Sequence, residues 1–385
     1  MSGARAVLIA AASGRALAAA ARRAGFSPLL ADLFGDEDAR AVSCASRLVG
    51  DWRDGFAAAP LIAALDELAR DRDPIGVVYG AGFEDRTEIL DALAARWPLI
   101  GAPPDAVRRA KDPLALAALC RALAVPHPQT RLDPPENPDG WLAKARGGAG
   151  GAHVVAAEHV LSATQAPEGS PYYYQRRLGG EPASALVLCS GGGARTLGLS
   201  RQWAAPAPGA PFRYGGCLRP AALGGALEDR LADAAERVAA ALDARGLVSV
   251  DFLVDGERFH LIEVNPRPGA TLDIFDDGDG GLFAAHVEAC KAASPRPEPP
   301  AADAFDGAAA AAIAYAPRDI CVMPALDWPD WTADRQSPRS FVGAGEPICT
   351  ITARAAEPRS ARALIETRLG VLAAAIQQET GRTAP

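Results

Sequence analysis

The chain has 385 residues, 49% hydrophobic and 22% charged, with a net charge of −8. That balance supports a large core in two or three domains and excludes a collagen-like fibre or a mostly disordered chain. No basic block marks a nucleic-acid or anionic-membrane surface. The longest early apolar run, 6–12, is too short to span a bilayer and lacks the flanks of a signal peptide. Seven cysteines, an odd number with no CxxC pair, argue against a zinc knuckle or a disulfide framework. They point to a reducing, cytoplasmic setting.

In chain order, "ARAVLIAAASG" reads as a buried strand and a turn at Ser13-Gly14, and 15–24 as a helix stopped by Gly25. "SPLLADLF" is a second strand, "LIAALDELAR" a helix, "PIGVVYGAGFED" a strand then a turn, and "RTEILDALAARW" a helix. Alternating strands and helices predict a parallel sheet over 1–103, with ligands at the carboxyl ends of its strands. A helix expected to begin at Lys111-Asp112 opens the next unit. Beyond "DPPENPDG" the pattern turns antiparallel, interrupted by a helix in 227–245 that Gly246 is expected to cap. The proline-rich "AASPRPEPPAAD" marks a boundary before two short strands and a terminal helix. The overall expectation is α/β and α+β, with units at 1–103, 104–292 and 304–385.

Four constellations carry chemistry. The first is the hairpin "VSVDFLVDGERFHLIEVNPRPG". Strand alternation puts Glu263 and Asn265 on one face. If Asp255 pairs with Phe259 across a 255–258 turn, Asp251 lies opposite Glu263, and Val250, Phe252, Ile262 and Val264 face away. Two carboxylates that close repel, and a hard divalent cation held with substrate phosphates removes the conflict. Arg267 follows, then Pro268-Gly269.

The second is Lys144 in "WLAKARGGAGGAHVV", ahead of Gly147, Gly148, Gly150 and Gly151, whose backbone N–H groups can close over phosphate oxygens. It is neither a Walker A loop nor a dinucleotide fingerprint. The third is Lys111. Only three of the 39 basic residues are lysine, at 111, 144 and 291, so a lysine here stands out. The fourth is "YYYQRRLGGEPASALVL", where backbone groups at Arg176 and Leu178 could read an adenine edge. "CSGGGARTLG" has no lysine and reads as a plain hairpin turn.

In this order and spacing the pieces resemble the ATP-grasp superfamily over about 104–292, and more loosely over the whole chain. The resemblance implies an ATP-grasp fold with an N-terminal Rossmann-like domain, a central antiparallel nucleotide-binding domain with a lid at about 126–185, and a small C-terminal segment. It implies ATP with one or two Mg²⁺, or Mn²⁺ in their place. Lys111 and Lys144 become the ATP lysines, Gly147, Gly148, Gly150 and Gly151 the lid, and Gln175, Arg176 and Leu178 the adenine hinge. Glu181 becomes the ribose contact, Asp251, Glu263 and Asn265 the metal ligands, and Arg267 the holder of a carboxylate or bicarbonate. Lys144 and Arg267 would be the catalytic pair.

Glu84, at a predicted strand end, is the candidate for holding an amine. The hinge departs from the usual Gln-Glu or Glu-Lys start, and Ser249 stands where D-alanine–D-alanine ligases carry an oxyanion arginine. The implied function is a ligase that joins an acid to an amine through an acyl phosphate. "ADRQSPRSFVGAGEPICTITA" resembles ligases linked to methanopterin- or methanofuran-type cofactors, glutamate-adding ones included. A bicarbonate-using carboxylase or carbamoyl-forming enzyme, and a nucleotide sensor without turnover, are the alternatives. Partners are small acids and amines, with no nucleic acid and no membrane, in a homodimer as in many relatives.

Overall fold

A computed structural model describes residues 5–163, 171–276, 278–291, 294–298 and 305–382. The first layer runs β1 (Ala6–Ala11), α1 (Arg15–Arg23), β2 (Ser27–Asp32), α2 (Glu37–Val42), β3 (Ala45–Leu48), α3 (Ala58–Ala69), β4 (Val77–Tyr79), α4 (Thr87–Ala94) and β5 (Leu99–Ile100). Its strands form an all-parallel sheet in the order β3-β2-β1-β4-β5. Ala6, Leu8 and Ala10 face one hydrophobic cluster, and Val7, Ile9 and Ala11 face another. Both faces are covered, so the strand reads as a continuous apolar run rather than an alternation. The order reverses between β1 and β4, which opens a crevice at their carboxyl ends.

Two helices follow, α5 (Pro104–Lys111) and α6 (Pro113–Ala122). Lys111 therefore ends a helix instead of beginning one. Pro113 has no N–H to continue α5, and the Asp112 carboxylate accepts from the N–H groups of Leu114 and Ala115, capping α6.

Next come β6 (Thr130–Arg131), β7 (Trp141–Ala145), β8 (Val154–Ala156), α7 (Ala157–Ala163) and β9 (Tyr172–Arg176). The four strands form a small antiparallel sheet, β6-β9-β7-β8, around Trp141, Ala143, Ala157 and Tyr174. It lies within the span expected for a lid.

The remainder is β10 (Glu181–Ser190), β11 (Gly193–Ala204), β12 (Tyr214–Arg219), α8 (Gly225–Ala241), β13 (Gly246–Asp255), β14 (Arg258–Asn265), α9 (Leu272–Phe275), α10 (Gly281–Ala289), β15 (Ala308–Tyr315), β16 (Thr332–Ala333), β17 (Pro347–Ala355) and α11 (Pro358–Arg382). An eight-stranded sheet runs β14-β13-β10-β11-β12-β15-β17-β16, so the C-terminal strands extend the central sheet. The glycine triplet in "CSGGGARTLG" is the β10–β11 turn, as read. Gly246 does not cap α8. The helix ends at Ala241, and Gly246 turns the chain into β13 at a φ of 71°.

Candidate active site

Hairpin β13–β14 shows how one irregularity sets the geometry. Asp255 pairs with Arg258, not Phe259, because the turn is one residue shorter than expected. A bulge beside Asp251 absorbs the difference and brings Asp251 opposite Glu263 all the same. Its second consequence is that Leu261, not Ile262, joins Val250, Phe252 and Val264 in the core.

Four side chains meet on the open face. Lys111 Nζ donates to Glu263 Oε1 at 2.6 Å and to Asn265 Oδ1 at 2.7 Å. Asn265 Nδ2 donates to Asp251 Oδ2 at 2.9 Å. Burial, then repulsion from Glu263, pushes the Asp251 carboxyl up to about 6. Burial also opposes the charge of Glu263, but Lys111 and Lys144 outweigh it and hold its pKa below the ordinary value. Among the described residues no group of three or more His, Cys, Asp or Glu side chains gathers in metal-ligating geometry. The site offers two carboxylates and an amide, and the Lys111 ammonium already sits on two of those oxygens. That donor set fits a Mg²⁺ whose remaining ligands are phosphate oxygens and water.

From the small sheet, Lys144 Nζ donates to Gln175 Oε1 at 3.3 Å and lies over the Tyr173 ring. Burial works against its charge, yet Tyr173, Glu263 and Asp251 raise its pKa. The β7–β8 turn is wedged between neighbours. A Cβ on Gly147 would stand 2.6 Å from the Asp85 backbone, and one on Gly151 2.0 Å from the Phe212 carbonyl. Both glycines also have positive φ, and Tyr214 N–H donates to the Gly150 carbonyl at 2.8 Å.

In the hinge, Arg176 N–H donates to the Gln129 carbonyl and Arg177 N–H to the Gly140 carbonyl. Glu181 is exposed and pairs with Arg201.

On the other side, Arg267 Nε donates to Glu84 Oε1 at 2.8 Å, and both residues are buried. Glu84 Oε2 accepts from the N–H groups of Gly82 and Phe83. Burial would raise the Glu84 pKa, but Arg267 and Lys111 bring it down to about 2. Both Glu84 oxygens are thus engaged. Ser249 Oγ is buried without a partner among the described residues and, like Arg267 Nη1, lies beside Gly269.

All four constellations thus come from different elements and converge, except that Glu181 stands at the exposed rim. Sequence reasoning passed over His153, two residues after Gly151. Its ring covers Gly148, and its charge balance is set by burial, then by Glu263, Lys144 and Lys111. The signal was its position at the end of the turn, not its residue type.

Residues 110–271 match the family model described as an ATP-grasp domain. The carbamoyl phosphate synthase large chain of Deinococcus radiodurans is 25% identical over 219 residues, covering 52% of this chain. The match spans about a fifth of that protein's length, 21%. Among solved structures, the biotin carboxylase domain dimer of Hydrogenobacter thermophilus 2-oxoglutarate carboxylase, with MgADP, ADP and bicarbonate, superposes with a TM-score of 0.69. Identity is 12%, over 92% of this chain and 86% of that one. Aspergillus clavatus N5-carboxyaminoimidazole synthase, with ADP and 5-aminoimidazole ribonucleotide, gives 0.67 at 14% identity, over 98% and 100%. At those identities the likeness is one of fold. No helix among the described residues is long and apolar enough to cross a membrane.

Proposed function

The chain carries an ATP-grasp domain and with it belongs to the ATP-grasp superfamily, and on that premise we propose an ADP-forming ligase that joins a carboxylate to an amine. One observation carries the reading. Three cations (Lys111, Lys144, Arg267) and three carboxylates (Asp251, Glu263, Glu84) from five separate segments are held around one site by the bonds given above. That lattice is suited to a highly charged phosphate substrate.

The acid's oxygen takes the ATP γ-phosphoryl group and ADP leaves. The amine nitrogen then bonds to the acyl carbon, and phosphate departs with the C–O bond electrons. The protein's work is positioning and charge neutralisation. Lys111 and Lys144 face the phosphates, and Arg267 offers its guanidinium to the acid. Glu84 fixes Arg267 and lies beside the amine. Gly147 to Gly151 keep water from the acyl phosphate, and the Arg176–Leu178 backbone, with Glu181 at the rim, receives the nucleoside. Asp251, Glu263 and Asn265 would hold the Mg²⁺, or Mn²⁺, which would neutralise the phosphate charge.

A second reading takes bicarbonate as the acid, as the names of the matched carbamoyl and carboxylase proteins suggest. We place domain limits at 1–103, 104–292 and 304–385. We also infer a cytoplasmic homodimer, which the free cysteines and the dimeric neighbour support. A role in methanopterin- or methanofuran-type cofactor synthesis is the finer proposal.

The test is phosphate release from MgATP with a panel of acids and amines, glutamate and bicarbonate included. Release that requires one acid–amine pair supports the ligase. Release with bicarbonate alone favours the second reading. Tight MgATP binding with no stimulated release from any pair favours a sensor.

A further inference from the structure

The C-terminal segment builds a cavity that the chemistry above does not use. Tyr315, the last residue of β15, and Ile348 of β17 line it from the sheet. Ile320 and Val322 line it from the following loop, and Leu372 and Ile376 from α11. It holds about 800 Å³, within the range of pockets that take small ligands. Val322 is 60% exposed there. Water against such a surface is unfavourable, and an apolar guest displaces it. Of the lining residues only Arg318 and Asp319 are charged. Asp319 Oδ1 is engaged by the Ala344 N–H at 2.8 Å. The exposed Arg318 makes no hydrogen bond or ion pair among the described residues. The cavity thus pairs an apolar lining with one uncommitted cation.

A second observation ties this cavity to the nucleotide site. Tyr315 Oη donates to the Tyr214 carbonyl at 2.7 Å, and the Arg213 guanidinium lies 3.7 Å from the centre of the Tyr315 ring. Tyr214 N–H donates in turn to the Gly150 carbonyl at 2.8 Å. The Phe212 carbonyl is the atom against which Gly151 is wedged. One side chain of the cavity therefore holds the backbone that braces the β7–β8 turn.

We propose that this cavity is an effector site for an apolar molecule bearing one anionic group, and that its occupant changes nucleotide affinity through Tyr315. The second half rests on the reading of the hairpin site as an ATP site. The guest's apolar body lies against Leu372 and Ile376, and its anion meets Arg318. A guest that shifts the Tyr315 ring shifts residues 212–214 and with them the turn. Coupling of this kind is reciprocal, so nucleotide must change the guest's affinity by the same factor.

The probe is octanoate, with 1-octanol as its uncharged control. Calorimetry on the full chain measures Kd for each probe, and Kd for MgADP with and without saturating octanoate. Octanoate should bind at one site. Replacing it by 1-octanol, or introducing Arg318→Ala, should weaken binding by about threefold or more. Ala373 lines the cavity from an exposed position of α11. Ala373→Trp fills the space and should abolish octanoate binding while MgADP still binds. In the wild type, octanoate should change the MgADP Kd by at least about fivefold. Tyr315→Phe should bind octanoate as before and lose that change. Octanoate that does not bind, that binds Ala373→Trp equally well, or that 1-octanol matches overturns the site. An MgADP Kd indifferent to octanoate, or a change that survives in Tyr315→Phe, overturns the link. A wild-type chain that binds octanoate but no nucleotide removes the ATP reading and supports the cavity's assignment.

Discussion

Two buried charge assemblies tie this chain together, and they differ in sign and in use. The first is the hairpin site. Its three cations and three carboxylates balance, and every acid there has a cationic or amide partner. The second joins the carboxyl ends of β1 and β2 to the C-terminal segment. Arg15 forms paired bonds to Asp273 and to Asp334, and lies 3.9 Å from Asp38. Asp32 and Asp36 are buried nearby, each with one oxygen lacking a partner among the described residues. Acid exceeds base there. Burial first, then Asp334, Asp32 and Asp38, pushes the Asp36 carboxyl up to about 9, and Asp32 reaches about 6. Such a cluster stays compact by holding protons. The balanced lattice keeps its charges and is ready for a charged ligand.

Replacing Lys144 or Glu263 in the first assembly should therefore abolish function at little cost to folding, replacing Glu84, which holds the buried Arg267, should cost stability as well, and in the second assembly only stability and its pH dependence should respond. The largest effect is expected for Lys144→Ala and Glu263→Gln. Lys144→Ala removes a positive charge aimed at the phosphates, Glu263→Gln removes a carboxylate that would hold the neutralising Mg²⁺, and such groups are worth roughly 100- to 1,000-fold in kcat. Substrate-dependent phosphate release should fall by at least about 100-fold, with circular dichroism unchanged. Activity within tenfold of wild type would break the comparison.

Next is Glu84→Ala, which strands the buried Arg267 guanidinium. Breaking a buried pair from one side costs about 3–5 kcal/mol. Urea denaturation should show a loss of that order, together with a higher KM for the acid. A loss below about 1 kcal/mol would mean that water replaces the carboxylate.

The pH dependence of stability sharpens the contrast. In the unfolded chain Asp36 titrates near its ordinary value, about 3.9. The folded value is raised, so the folded state binds the proton more tightly. That contribution is complete below about pH 4 and drains away as pH rises through about 9. Asp32 adds the same sign up to about pH 6. Thermal unfolding from pH 5 to 9 should show Tm falling with pH, and Asp36→Asn should flatten the curve and raise Tm at the alkaline end. An unchanged slope in the variant would show that Asp36 is not the group involved. The smallest effect is expected at the exposed Glu181–Arg201 pair. Glu181→Ala should change stability by less than about 1 kcal/mol, so any sizeable rise in the Kd for ATP reports the ribose contact alone.

The two assemblies also differ in how far the sequence reveals them. The hairpin site is nearly all local pattern. Asp251, Glu263, Asn265 and Arg267 lie within 17 residues, and strand alternation puts the first three on one face. The bulge was invisible, because nothing in "DGERFHLIEVN" distinguishes a two-residue turn with a bulge from a longer turn without one. Lys111 was legible as a residue but not as a helix end, since "AKDP" serves equally to stop one helix and to cap another.

The parallel sheet followed from period and length, though the short β3 and the helix α10 did not stand out. The acidic cluster was not legible at all. Asp32, Asp36 and Asp38 meet Asp273 and Asp334 only through tertiary packing, and no spacing in the chain links them. The extension of the central sheet by β15 and β17 was hidden for the same reason. An alanine-rich strand such as "AAAAAIAY" has no alternation to show which sheet it will join.

The most direct test is a crystal structure of the full chain with Mg²⁺ and a non-hydrolysable ATP analogue. The account predicts a metal ion against Asp251 and Glu263, phosphates between Lys111 and Lys144, and the Lys111 ammonium moved from Asn265 Oδ1 onto a phosphate oxygen. A nucleotide bound elsewhere, or bound here with the Lys111–Glu263–Asn265 contacts intact and no metal on the carboxylates, would contradict it.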